Sequence, residues 1–219
     1  MPDTPSATLA FALTAIEASA TVAFALSGLL AAARKRLDAV GVCVVAGLAA
    51  FGGGTLRDVL LDRRPFFWVE HASWLWALLA LCVAAMVFMR GHHFALTERA
   101  MQWPDAVGLG LFTAGGTQVA LQAGMPAIVA VLMGVVTAVF GGVLRDIVCN
   151  EIPSAFSDHR PYAVCSFCGG WVLVGMQAIQ APPWTGLLAA ATLAAGLRVL
   201  ALARGYTLPE WVTGPSRGD

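Results

Sequence analysis

"FGGGTLRDVLLDRRPFFW", residues 51–68, sets three consecutive glycines and then Arg57–Asp58 inside an apolar region. Glycine loosens a helical backbone, and a charge within a membrane span costs roughly 2.5–3.5 kcal/mol on insertion scales. The pattern also occurs twice. "GGTLRDVLLDRRP" (53–65) returns 88 residues later as "GGVLRDIVCNEIP" (141–153). Gly53, Gly54, Leu56, Arg57, Asp58 and Pro65 recur as Gly141, Gly142, Leu144, Arg145, Asp146 and Pro153. The same offset carries Glu17 to Asp105, Gly28 to Gly116 and Ala39 to Ala127. The chain is therefore an internal duplication.

Working outward, the 219 residues are 58% hydrophobic and 12% charged. Soluble domains carry about 25% charged residues, so the composition points to an integral membrane protein. The net charge is zero, with 13 basic and 13 acidic residues, which argues against a nucleic-acid partner. No Lys or Arg precedes Arg34, so the first apolar run lacks the basic start of a cleaved signal peptide and reads as a retained helix.

Seven apolar spans are predicted, near 8–33, 38–61, 70–90, 104–123, 126–149, 161–180 and 184–203. Most reach the roughly 20 residues that cross a bilayer core. The expected fold is an all-α membrane protein forming one transmembrane domain over 1–219. Repeat one covers about 10–90, repeat two about 98–180, and an added seventh helix about 184–203. Three crossings per copy invert the second copy, giving a pseudo-two-fold axis in the membrane plane. Tight hairpins are expected near 124–126 and 181–183.

Loop charges set the orientation. One side holds Arg34, Lys35, Arg36, Arg90, Arg99, Arg160, Arg204 and Arg217, the other only Arg63 and Arg64. The N-terminus is expected outside and the C-terminus in the cytoplasm.

Two roles fit the glycines. Gly52, Gly53, Gly54, Gly141 and Gly142 can open an unwound turn whose carbonyls face a polar cavity. Alternatively, Ala46, Ala50 and Gly54, with their counterparts Gly134, Ala138 and Gly142, form small faces for close helix packing. Packing does not explain Arg57, Asp58, Arg145 and Asp146, which read as a charged gate or as structural ion pairs. Neighbours on a helix point about 100° apart, so Arg57 and Asp58 are expected to find partners on other helices or in water. Glu17 and Asp105 are placed near opposite interfaces, where cation attraction and ordinary solvation compete. Asp62, Arg63 and Arg64 read as a solvated loop, and Trp68, Trp74, Trp76 and Trp103 as an interfacial belt. His92 and His93 read as loop residues rather than metal ligands. Cys43, Cys82, Cys149, Cys165 and Cys168 read as packing residues, since Cys165-Ser-Phe-Cys168 lacks a second ligand pair. No nucleophile–base pair, phosphate loop or metalloprotease motif is present, so neither an enzyme nor a cofactor is expected.

"FALSG", "GGGTLRDVLL", "DAVGLGLFTAGGTQVAL" and "GGVLRDIVCNEIP" resemble the prokaryotic trimeric intracellular cation (TRIC) channel family, which is also named as bacterial glycine transporters. The resemblance covers about residues 10–203. It implies seven helices in two inverted repeats, a homotrimer with a pore in each protomer, and permeation of K⁺ and Na⁺ across the bacterial inner membrane, with membrane lipid as the surrounding partner. It also implies kinks at Gly52–Gly54 and Gly141–Gly142. The second motif departs by placing Phe140 where the first has Gly52, so its kink is expected to be less open. The alternative reading is a secondary transporter of glycine or a similar small zwitterion, because inverted repeats and broken helices suit both.

Overall fold

A computed structural model describes residues 5–90 and 98–209. Among them there are nine helices and no strand: α1 (Pro5–Arg34), α2 (Ala39–Leu60), α3 (Phe67–Glu70), α4 (Ser73–Arg90), α5 (Glu98–Gln122), α6 (Ala127–Val148), α7 (Ser154–Ser157), α8 (Ala163–Ala178) and α9 (Pro183–Arg204). His92, His93, Arg217 and most of the expected cytoplasmic stretch 90–99 lie outside the described residues.

Local chemistry sets the helix ends. The Asp38 side chain accepts the Gly41 N–H at 2.7 Å and caps the start of α2. Pro183 opens α9, and Gly205, at φ 67°, closes it. Gly124, at φ 76°, makes the tight turn between α5 and α6. The two motif helices stop alike. Asp62 (φ 52°) and Asn150 (φ 54°) are left-handed residues at matching positions, and the next N–H in each copy returns to the carbonyl of Asp58 or Asp146. Asp and Asn tolerate that conformation because their short polar side chains bond locally.

The long helices α1, α2, α4, α5, α6, α8 and α9 correspond to the seven predicted spans. Of these, α1, α2, α6 and α9 are long and apolar enough on their own to cross a membrane. Helices α4 and α8 present shorter apolar stretches, Ser73–Phe88 and Ala163–Ala178. The chain is an all-helical membrane protein. The short α3 and α7 follow the two motifs at matching places and add to the seven predicted spans.

Repeat equivalents meet one another at the centre. Phe24 stacks on Phe112, with centroids 5.5 Å apart, and the two are separated by the repeat offset. A Cβ on Gly53 would strike the Thr137 carbonyl oxygen, and one on Gly141 would strike the Ala49 carbonyl oxygen. Ala49 and Thr137 are again equivalents, so each copy offers its glycine to the other copy's backbone.

This corrects one expectation. Residues 52–54 and 141–142 lie in uninterrupted helix, and no turn is unwound. An unbroken helix avoids bare carbonyls in a nonpolar surrounding. At Gly52, Gly53 and Gly141 the missing Cβ serves the approach of α2 to α6 instead, while Gly54 makes room for the Phe67 ring and Gly142 lies beside Tyr162 and Asp105.

The tryptophans divide. Trp76 and Trp103 are exposed on the outer surface. Trp68 and Trp74, expected with them in a belt, are packed inward. Trp68 Nε1 donates to Thr55 Oγ1 at 3.0 Å, and Trp74 lies against Phe67 and His71. Each finds a ring or hydroxyl partner as the chain folds back after α2.

Candidate functional site: two buried ion triads

Arg57 and Arg145 are among the largest fully buried side chains described. Each stands one turn from the end of its helix and is flanked by two carboxylates, one from its own helix and one from a neighbour. Arg57 Nη1 donates to Glu17 Oε1 of α1 at 2.7 Å. Arg57 Nε donates to Asp58 Oδ1 at 2.8 Å. Its Nη2 also approaches that oxygen at 2.8 Å, though off the hydrogen-bond direction. The guanidinium lies 5.4 Å from the centre of the Phe67 ring.

The second copy repeats the plan. Arg145 Nη1 donates to Asp105 Oδ1 of α5 at 2.5 Å, and Arg145 Nε donates to Asp146 Oδ1 at 2.7 Å. Each motif aspartate has a second task. Asp58 Oδ2 accepts the Phe67 N–H at 2.8 Å, and Asp146 Oδ2 accepts the Ser154 N–H at 2.8 Å. The aspartates therefore tie the triads to the starts of α3 and α7.

Two expectations change here. Arg57 does pair with Asp58, and Arg145 with Asp146, although neighbouring helical residues diverge. The arginine stem is long enough to bring Nε back to the adjacent carboxylate while its tip reaches another helix. Glu17 and Asp105 are not solvated at interfaces; they are 5% and 4% exposed and are the cross-helix partners of the arginines.

The triads also compensate each other in size. Glu17 is one methylene longer than Asp105. Where α1 brings Ser27 to the second triad, the equivalent position on α5 is Gly115. A Cβ there would lie 3.9 Å from Glu17 Cγ. Ser27 fills the space that the shorter Asp105 leaves, and its Oγ accepts from Arg145 Nη1 at 2.5 Å. With one arginine and two carboxylates, each triad carries one formal negative charge. A buried charge of this sign attracts cations strongly, because screening there is weak.

Sequence reasoning missed two features. Arg198, inside the apolar run of α9, is 2% exposed and contacts Asp158, Pro161 and Tyr162. Its signal was a lone arginine in an otherwise apolar helix. The other is a buried polar set confined to repeat two. Thr113 Oγ1 donates to Ser166 Oγ at 2.7 Å, and Gln177 Nε2 donates to Gln118 Oε1 at 2.9 Å. The repeat-one counterparts, Ala25, Leu78, Met89 and Leu30, are apolar.

A family model described as "Glycine transporter" matches residues 14–91 and 102–178, the two repeats already drawn. The chain belongs to the Glycine transporter family. Two curated relatives carry names without a stated substrate. A "UPF0126 membrane protein" of Vibrio cholerae is 35% identical over 143 residues, 64% of this chain and 57% of that protein. The chain thus spans just over half the length of that relative. "UPF0126 inner membrane protein YadS" of Escherichia coli K12 is 36% identical over 145 residues, 64% of this chain and 67% of that protein. Among solved structures, the TRIC trimeric intracellular cation channel orthologue from Rhodobacter sphaeroides superposes with a TM-score of 0.81 at 34% identity. That match covers 89% of this chain and 98% of the other. This chain thus shares its helical membrane architecture with that cation channel orthologue.

Proposed function

We infer that this Glycine transporter family member is a cation channel. The observation that carries the reading is the likeness to the R. sphaeroides cation channel orthologue over nearly the whole of both chains. The two net-negative triads support it. Each supplies a fixed charge that draws a cation inward, and each contains an arginine that limits the depth of that well. A passage needs binding favourable enough for entry and weak enough for exit.

In this reading the whole chain is one transmembrane unit of seven crossings, with inverted repeats and N-terminus outside. Three copies assemble, each with its own passage for K⁺ and Na⁺ beside the α2–α6 contact and between the triads. Gly52, Gly53 and Gly141 set the closeness of that contact, and Gly54 and Gly142 lie beside it, against Phe67 and Tyr162. Arg57, Asp58, Arg145 and Asp146 form the charged constriction. The surrounding partner is lipid of a bacterial inner membrane, in line with the name of the E. coli relative.

A second reading is a carrier of glycine or a similar zwitterion. The family description favours it, as does the presence of both charge signs in each triad, since an ammonium and a carboxylate could each find a partner. Purified protein in a planar bilayer separates the two. The channel reading expects unitary cation currents. Saturable glycine flux without such currents would establish the carrier instead.

A further inference from the structure

The two triads end differently, and α9 makes the difference. In repeat one, Glu17 opens onto a cavity of about 310 Å³ lined also by Thr14, Arg63, Glu70 and His71. The repeat offset carries Thr14 to Gln102, Glu70 to Asp158 and His71 to His159. At Gln102 the space is about 90 Å³, walled by Leu202 and Ala203 of α9.

Asp158, the counterpart of Glu70, is held by α9 as well. Arg198 Nη2 donates to Asp158 Oδ2 at 3.3 Å, and Nη1 donates to the Pro161 carbonyl at 3.3 Å. The guanidinium lies 4.7 Å from the centre of the Tyr162 ring, and Tyr162 Oη donates to Asp105 Oδ2 at 2.7 Å. A continuous chain of contacts thus runs from α9 through Tyr162 to the second triad. The duplication contains no counterpart of α9. The closure is therefore an addition to the two-fold plan.

We propose that Arg198 is a latch that closes the repeat-two mouth of the passage, while on the repeat-one side Glu17 borders the wider cavity. Withdrawal of α9 from α5 and α8 opens it. The proposal rests on the channel reading for what passes, not for the closure itself. The latch is built to release. Its two hydrogen bonds are long, and Arg198 Nε has no hydrogen-bond partner among the described residues. Asp158 also has a second cation at hand, with Arg160 Nε at 3.5 Å. Arg145, in contrast, is held by short bonds to Asp105, Asp146 and Ser27. Losing Arg198 from its seat therefore leaves Asp158 paired and the triad intact.

The protein carries a native reporter. Cys165 is buried, and its Sγ donates to the same Pro161 carbonyl at 3.2 Å. With Cys43, Cys82, Cys149 and Cys168 replaced by alanine, the full chain in proteoliposomes is treated with a charged methanethiosulfonate, and modification of Cys165 is timed. Arg198→Met keeps the packed stem and removes the guanidinium. Asp158→Asn keeps the guanidinium and weakens its anchor. Both are expected to raise the Cys165 rate, by roughly tenfold for Arg198→Met, as for loss of one local closing contact. Cation current should rise in parallel. Unchanged Cys165 rates in folded variants overturn the latch. If Arg198→Met does not fold, Asp158→Asn decides alone. Faster labelling with no cation current in any form leaves the latch standing and removes the channel reading.

Discussion

Phe24 and Phe112 stack with ring centroids 5.5 Å apart and 20° between their planes, and they are the same position in the two copies of the repeat. Contact between a residue and its own equivalent is what a two-fold relation between the copies would produce, as at a two-fold interface between subunits. Both rings are buried. Phe24→Ala and Phe112→Ala should each cost about 3–5 kcal/mol. The double variant should cost less than the sum, because stacked rings contribute about 0.5–1.5 kcal/mol beyond their area. A double-mutant cycle on detergent-solubilised protein checks this; strict additivity would show that the rings are not coupled.

The glycines should sort by what lies opposite them. Gly53→Ala and Gly141→Ala press a methyl group against backbone of the other copy and should destabilise by about 1–3 kcal/mol, as overpacking does. Gly196→Ala meets nothing within 4 Å and should be neutral or stabilising by about 0.4–1 kcal/mol. Thermal unfolding of the three variants gives the order. Equal effects would remove the close-approach explanation.

The paired sizes of Glu17 with Gly115 and Asp105 with Ser27 make a rescue experiment. Asp105→Glu alone adds a methylene where Ser27 already fills the space, and should cost about 1–3 kcal/mol. Asp105→Glu with Ser27→Gly recreates the first triad in the second site and should recover most of that loss. Stability measured by unfolding in mild detergent tests it, and no recovery in the double variant would mean that the two positions are independent.

Arg57→Ala and Arg145→Ala should change conductance or open probability in assembled protein. Removing a positive charge deepens the cation well, because screening within a narrow passage is weak. Lysine keeps the charge but loses the planar donor fork that bridges two carboxylates. Lysine variants that match wild type assign the effect to charge; lysine variants that behave like alanine assign it to geometry. If all four assemble and conduct as wild type, the arginines are purely structural.

Orientation is open to direct labelling. Arg36 and Arg64 are both exposed and fall on opposite sides of the charge bias. In an otherwise cysteine-free chain on intact cells, Arg64→Cys should react with an impermeant reagent and Arg36→Cys should not. The reverse pattern inverts the assignment.

Much of the frame was legible in the residues, because a hydrocarbon core demands apolar runs of fixed length and a duplication leaves a constant offset. The long helices follow from the first, four of them apolar and long enough to cross a membrane, and the pairing of Arg57 with Arg145 and of Glu17 with Asp105 as equivalents follows from the second. That same offset marked the glycines as special without saying why. Their role depends on which backbone passes in front of them, and Thr137 and Ala49 come close only when α2 and α6 cross.

The sequence by itself determined the class of molecule, its internal repeat and the types of residue at its charged centre. Tertiary structure alone decided who bonds to whom. Arg57 grips both its neighbour Asp58 and the distant Glu17 because a long, forked side chain satisfies a carboxylate on its own helix and another across the packing interface at once. Arg198, an isolated charge in the seventh predicted span, acquires meaning only when α9 lies against α5 and α8 and sets it over Tyr162. A buried charge must find its partners wherever the fold supplies them, and no spacing along the chain encodes a contact between elements 37 residues apart, as Arg198 and Pro161 are.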